Sequence, residues 1–202
     1  DLVILSPTIS GHKSAAAILQ ETGVPVYYAD ADSFNDYLEV FQDFTALTGR
    51  TDLYESLGIG QKTDIALMLA TMAEGDNPTA LVLRAFSSGV KAKADGTVLT
   101  NILDDLGVVN IASGDIAIME NLSLEKIVED NPDYIFIVYM GDESEETEQY
   151  LKDNLYNDPV WATLTAVRES RVFIMPQNLF HFKPNDRWAE AYAYLLDILR
   201  PA

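Results

Sequence analysis

Tyr134-Ile135-Phe136-Ile137-Val138 is the stretch from which the fold is read. Five large apolar residues follow one another without polar alternation, the pattern of a strand covered on both faces. Asn131-Pro132-Asp133 stands just before it and closes a helix that starts at Ser123. Ser123 is a partial N-terminal signal, because the acid Glu125 falls at the second helical position instead of the third. Helix, stop, buried strand is the unit of an α/β layer.

The same alternation repeats outward. Toward the C-terminus the pattern predicts an acidic helix over Ser144–Leu155 and a short helix over Pro159–Val167. A strand at Arg171–Ile174 and a terminal helix over Arg187–Leu199 follow. Trp188, Ala191, Tyr192, Leu195 and Leu196 share one face of that last helix. Toward the N-terminus, Ala80–Arg84 reads as a strand, Ser87-Ser88-Gly89 as a turn, and Thr97–Leu106 as a helix stopped by Gly107.

Leu2-Val3-Ile4-Leu5 reads as another strand covered on both faces, followed by a helix over Lys13–Thr22 closed by Gly23. Val24–Tyr28 is the next strand, and Ser33 caps a helix through Leu47 whose buried face carries Phe34, Tyr37, Leu38, Phe41, Phe44 and Thr45. Between the two α/β regions, Asp52–Ala73 reads as one long helix, weakened at Gly58 and Gly60 by about 1 kcal/mol each. Gly75-Asp76-Asn77-Pro78 ends it. The expected fold is two Rossmann-like α/β lobes joined by one long interlobe helix. Residues 1–48 form one lobe, 49–76 the helix, and 77–202 the second lobe. The first lobe is expected to be incomplete, since Asp1 opens directly into a core strand. Ligands of such sheets bind beyond the carboxyl ends of the strands.

The chain has 202 residues, 48% hydrophobic, with 32 acidic against 13 basic side chains and a formal net charge of −19. That charge repels phosphate backbones and anionic membrane surfaces, and suits a basic protein surface or simple solubility. With no cysteine, thiolate zinc sites, disulfides and cysteine nucleophiles are excluded. Two histidines are too few for a free-metal site built from convergent imidazoles. There is no G-x-G-x-x-G after a strand, no phosphate-binding lysine loop, no G-x-S-x-G elbow and no H-E-x-x-H helix. Gly58-Ile59-Gly60 lies inside a helical stretch. The chain is therefore expected not to be an enzyme and to carry no cofactor.

Several short stretches occur in a shared order. Asp158-Pro159-Val160-Trp161-Ala162-Thr163-Leu164 and Ala166-Val167-Arg168-Glu169-Ser170-Arg171-Val172 resemble the "DPxWxxLxAVRxGRV" stretch of the iron-siderophore and cobalamin substrate-binding proteins of ABC importers. Asp1-Leu2-Val3-Ile4 resembles that family's "PDLVI", Thr22–Val26 its "LGIPV", Leu47–Arg50 its "LTGR", and Leu106–Ala112 its "LGGxNIA". The resemblance implies a monomeric, extracytoplasmic, periplasmic or lipid-anchored protein. Such a protein captures a metal chelate and delivers it to the transmembrane permease. A ferric siderophore leads among the implied ligands, with cobalamin and haem as alternatives, and an α/β enzyme or an extracellular interaction module is the less favoured reading.

Candidate ligand contacts come from loops that follow strands. The stretch Arg84–Lys93 supplies three cations, Arg84, Lys91 and Lys93, with hydroxyls at Ser87 and Ser88, and is expected to be a loop at a strand's carboxyl end. An anionic chelate needs charge-assisted donors of this kind. A solvated basic turn is the competing reading. The second stretch, Asn178–Trp188, holds His181, Lys183, Asn185 and Arg187. A lone histidine between two phenylalanines is more often a packed or capping residue than a metal ligand. Lys183, Asn185 and Arg187 are ligand or loop-bracing candidates, and Asn185 or Asp186 is a candidate cap for the last helix. Tyr139 and Met140 end the strongest strand, Tyr28 ends a strand of the first lobe, and His12 lies in the loop after the first. The family docks on its permease through an acidic residue in the helix before "LGG". Asn101 stands at the matching position here, so Asp104 and Asp105, one turn later, are the docking candidates.

Overall fold

The Tyr134 run is a central strand, β6 (Tyr134–Tyr139), whose residues Ile135, Phe136 and Ile137 are fully buried. The computed structural model describes residues 1–71, 77–141 and 145–200. The chain divides into two compact units, Asp1–Gly60 and Gln61–Ala202.

In the first unit, β1 (Val3–Leu5) pairs in parallel with β2 (Val26–Tyr28), connected by α1 (Ser10–Glu21). Gly23 terminates α1 with φ 75°, the left-handed conformation that glycine adopts without a Cβ penalty. The next helix, α2 (Phe34–Thr48), opens on a full capping box. The Ser33 hydroxyl accepts the Asp36 N–H, and the Asp36 carboxylate accepts the Ser33 N–H. The expectation that Leu2–Leu5 is covered on both faces is corrected: Leu2 is 42% and Ile4 53% exposed. Ile4 stands beside its register partner Tyr27, but α2 meets that face at Tyr27, through Asp43 and Phe44, and leaves Ile4 on the neighbouring strand open.

The long-helix expectation holds from Thr51 to Leu69, through α3 (Thr51–Leu53), a π-helical turn (Tyr54–Ile59) and α4 (Gly60–Leu69). Met72, Ala73, Gly75 and Asp76, which the sequence reading included in this helix and its end, lie outside the described residues. The widened turn falls on Gly58, where helix propensity is weakest and where Leu38 and Tyr54 crowd the backbone.

The second unit is built on a five-stranded sheet. Strand β3 (Thr79–Phe86) pairs with β6 in parallel from Ala80 to Ala85, and β6 pairs in parallel with β7 (Val172–Ile174). On the other edge of β3, its first two residues pair with β5 (Val109–Asn110) and its last four with β4 (Gly89–Ala92), the latter antiparallel. Period-two alternation sorts this sheet into two faces. Leu81, Leu83, Ala85, Ile135, Ile137 and Tyr139 pack in one core with Ile118 of α6 (Ile116–Asn121), Ile127 of α7 (Leu124–Asp130) and Leu151 of α8 (Glu145–Leu151). The opposite face carries Val82, Arg84, Phe136 and Val138 by the same register. The remaining buried apolar helices are α5 (Val98–Asp105), α10 (Gln177–Phe180) and α11 (Trp188–Leu199), with the short α9 (Thr165–Arg168) leading into β7.

Ser144, expected to start the acidic helix, lies outside the described residues. The helix expected over Pro159–Val167 is instead a 3₁₀ turn, Trp161–Thr163, followed by α9, because Leu164 is extended between them.

Two stability outcomes are expected. Replacing Phe136 with Ala removes a fully buried ring that stacks on Phe173 at 5.9 Å. Chemical denaturation should show a loss of about 3–5 kcal/mol, and a loss below 1 would contradict the central placement of β6. Replacing Ser33 with Ala deletes the α2 cap and should cost about 1 kcal/mol, read as earlier loss of protection in backbone hydrogen exchange within Phe34–Thr48.

Candidate functional site

The Arg84–Lys93 stretch, expected as a loop, is a β-hairpin, and Arg84 lies inside β3 two residues before its end. Ser87 and Ser88 form the exposed two-residue turn. Gly89 lets the Phe86 ring lie over the turn, since a Cβ at that position would stand 2.6 Å from the ring and push it aside. The sequence signal for a hairpin was present in Ser-Ser-Gly between two apolar stretches.

The hairpin changes what the cations do. Arg84 is opposite Lys91 in the antiparallel register, so both side chains leave the same face. Lys93 follows Lys91 by two residues and is half-buried, while Lys91 is exposed. Arg84 is also half-buried, and burial pushes its guanidinium pKa down. Among the described residues it forms no ion pair.

His181 joins this group from the other chain segment. It follows α10 directly, and its backbone N–H caps that helix through the Gln177 carbonyl. Its ring is half-buried and lies against Phe182, with centroids 4.7 Å apart. Burial first, and the positive charge of Arg84 second, hold its pKa below the usual imidazole value. The Nδ1 atom is buried and has no hydrogen-bond partner among the described residues. Gln177, at the start of α10, donates to the Gly141 carbonyl at 2.6 Å and ties this segment to the loop after β6.

The other candidates do not gather here. Tyr139 is the last residue of β6, 8% exposed, and belongs to the core on the face opposite Arg84. Its side chain cannot line a site built on the Arg84 face, because paired residues of parallel strands share a face and Tyr139 pairs with Ala85. Met140 follows as a half-buried residue whose N–H bonds to Ala85. Arg187 is engaged locally by Glu190 through two hydrogen bonds of 2.6 Å, which raises its pKa. Asn185, at φ 55°, donates to the Lys183 carbonyl at 3.1 Å, a loop brace. Neither Asn185 nor Asp186 caps α11. That cap comes from the buried Gln61, whose Oε1 accepts the Ala189 N–H at 3.1 Å. Sequence reasoning missed it because the two residues are far apart in the chain and glutamine is not a local cap type.

In the first unit, His12 sits in the first turn of α1, not in a loop, and its Nδ1 accepts the Ser6 N–H at 2.9 Å. Tyr27 donates to Asp43 at 2.7 Å, and its pKa is pushed up to about 12 by burial and that carboxylate. Tyr28 points the other way and is 43% exposed.

Of the two docking candidates, Asp105 accepts a hydrogen bond from the Tyr192 hydroxyl. Asp104 is exposed and lines a cavity of about 410 Å³ with Asp95, Thr100, Asn101 and Asn110. Among the described residues no three histidine, cysteine or carboxylate side chains converge in a way that holds a metal ion.

Comparison with known proteins places this geometry. A stretch of 52 residues, 26% of this chain, is 44% identical to the iron-uptake system-binding protein of Bacillus subtilis and covers 16% of that protein. The solved structure of S. aureus IsdE complexed with heme superposes with a TM-score of 0.79 at 17% identity, over 98% of this chain and 76% of that one. The triscatecholate siderophore binding protein FeuA from Bacillus subtilis, complexed with ferri-bacillibactin, superposes with a TM-score of 0.73 at 21% identity, over 98% and 69%. Those two likenesses carry the bilobed α/β fold. The sequence model described as periplasmic binding protein matches residues 1–179, and the chain belongs to that family.

Proposed function

We propose that the protein is the extracytoplasmic binding component of an ABC importer that captures an anionic ferric chelate of the siderophore class and delivers it to a permease. Arg84 carries the reading. It is a half-buried guanidinium near the carboxyl end of a parallel strand, without an ion pair among the described residues, in a chain with a net charge of −19. A guanidinium half out of water and without an ion pair is incompletely compensated, and an anionic ligand is the natural partner. Lys91 adds a second cation on the same face, and His181 adds a polar edge. Family membership supports capture and delivery over turnover. The names of similar proteins, an iron-uptake binding protein and a ferri-bacillibactin complex, favour the chelate.

Replacing Arg84 with Ala should weaken binding of a ferric tris-catecholate at least tenfold, about 1.4 kcal/mol, in a fluorescence titration of the intact protein. Unchanged affinity with an unchanged circular dichroism spectrum would remove this face from the site.

Docking on the permease is assigned to Asp104, because Asp105 is already engaged by Tyr192. Replacing Asp104 with Lys should lower chelate uptake by cells several-fold while chelate affinity in solution stays the same. Equal loss on replacing Asp105 with Asn, at equal stability, would reassign the docking role.

A further inference from the structure

The Arg84 face holds a second unusual group, and its chemistry deepens the reading above, on which this inference rests. His181 has a half-buried ring and a buried Nδ1 with no acceptor among the described residues. An imidazolium donates from both nitrogens, so protonation would leave a buried N–H unsatisfied. The ring also feels the Arg84 charge, which no carboxylate among the described residues neutralises. Both features favour the neutral ring while the face is empty.

The surrounding elements add no opposing charge. Strand β6, against which α10 packs, is apolar apart from Tyr134 and Tyr139, and Tyr139 is buried on the other face. On α5 the acids are Asp104 and Asp105 in the last turn, with Asp105 held by Tyr192. On α11, Glu190 is taken up by Arg187, Asp197 pairs with Arg200, and Tyr194 meets α10 through Phe180 at 5.8 Å. Within its own loop the charged neighbours are Lys183 and Asp186, two and five residues along. On the hairpin, Lys91 is a further cation on the Arg84 face.

We propose that capture of an anionic chelate on this face is coupled to uptake of one proton by His181. The anion cancels the Arg84 field and attracts a positive ring, so protonation becomes favourable on binding. The sign follows from linkage. The pKa of His181 is lower in the free protein than in the complex, so affinity gains as pH falls. The gain is complete below the free-protein pKa and disappears as pH rises through the pKa of the complex. The physical consequence is a site that holds its chelate more tightly in acidic surroundings.

The test uses calorimetric titration of the intact protein with a gallium(III) tris-catecholate chelate, in buffers of different ionisation enthalpy, at pH 6 and pH 8. Binding at pH 6 should take up a measurable fraction of a proton per chelate, and less at pH 8. His181→Gln should abolish the uptake at whatever affinity remains. The protein has two histidines, His12 and His181, so each ring is assignable by NMR. In the chelate-free protein, Arg84→Gln should raise the His181 pKa and leave that of His12 in place.

Saturable binding with no proton uptake, or uptake that persists in His181→Gln, overturns the coupling and leaves the binding function standing. A His181 pKa unmoved by Arg84→Gln overturns it without reference to any ligand. Failure of the chelate to bind overturns the proposed function and the coupling together.

Discussion

The half-buried guanidinium of Arg84, without an ion pair among the described residues, is the constraint on which the proposed site depends. A charge removed from water must be paired or repaid elsewhere. Here β3 fixes the Arg84 backbone by pairing on both edges, with β6 on one side and β4 on the other. That pairing fixes the backbone, so the side chain leaves from one face of the sheet, where it stays half-buried. The fold therefore holds a positive group at one place on one face, and the excess of acids over bases in the chain does not reach it as an ion pair among the described residues. That arrangement suits recognition of an anion better than it suits stability.

The same sheet decides which groups share that face. Alternation along β3 and β6 sends Arg84 and Val138 one way and Ala85 and Tyr139 the other. His181 reaches the Arg84 field because α10 follows β7 immediately, through Pro176, and packs back against β6. The Gln177 hydrogen bond to Gly141 then fixes the segment at the carboxyl end of the sheet. A site proposed at this end agrees with the general rule for open α/β sheets.

Much of this was legible in the sequence. The all-apolar Tyr134 run, the Gly23 and Gly107 stops, and the Ser33 cap each fixed an element through local physics that tertiary context did not override. The ordered motifs from Asp1-Leu2-Val3-Ile4 to Arg171-Val172 gave the family. The site was legible in part. Charge scarcity pointed to Arg84 and Lys91, but pairing register was needed to place them on one face and to exclude Tyr139. Asn185 and Arg187 are ligand or loop-bracing candidates in the sequence, and the structure shows them bracing, Asn185 to the Lys183 carbonyl and Arg187 to Glu190. The cover of Leu2 and Ile4 was misjudged because an apolar run reports what a strand prefers, not what lies against it.

The charge of the ligand is the property that the Arg84 face is proposed to select. Intrinsic fluorescence of the intact protein should be followed during titration with a ferric tris-catecholate, cobalamin and haemin in parallel. Saturable quenching by the ferric chelate at micromolar or lower concentration, with weaker or no response to cobalamin, is the predicted result. Tight binding of cobalamin with no response to the anionic chelate would contradict the role given to Arg84.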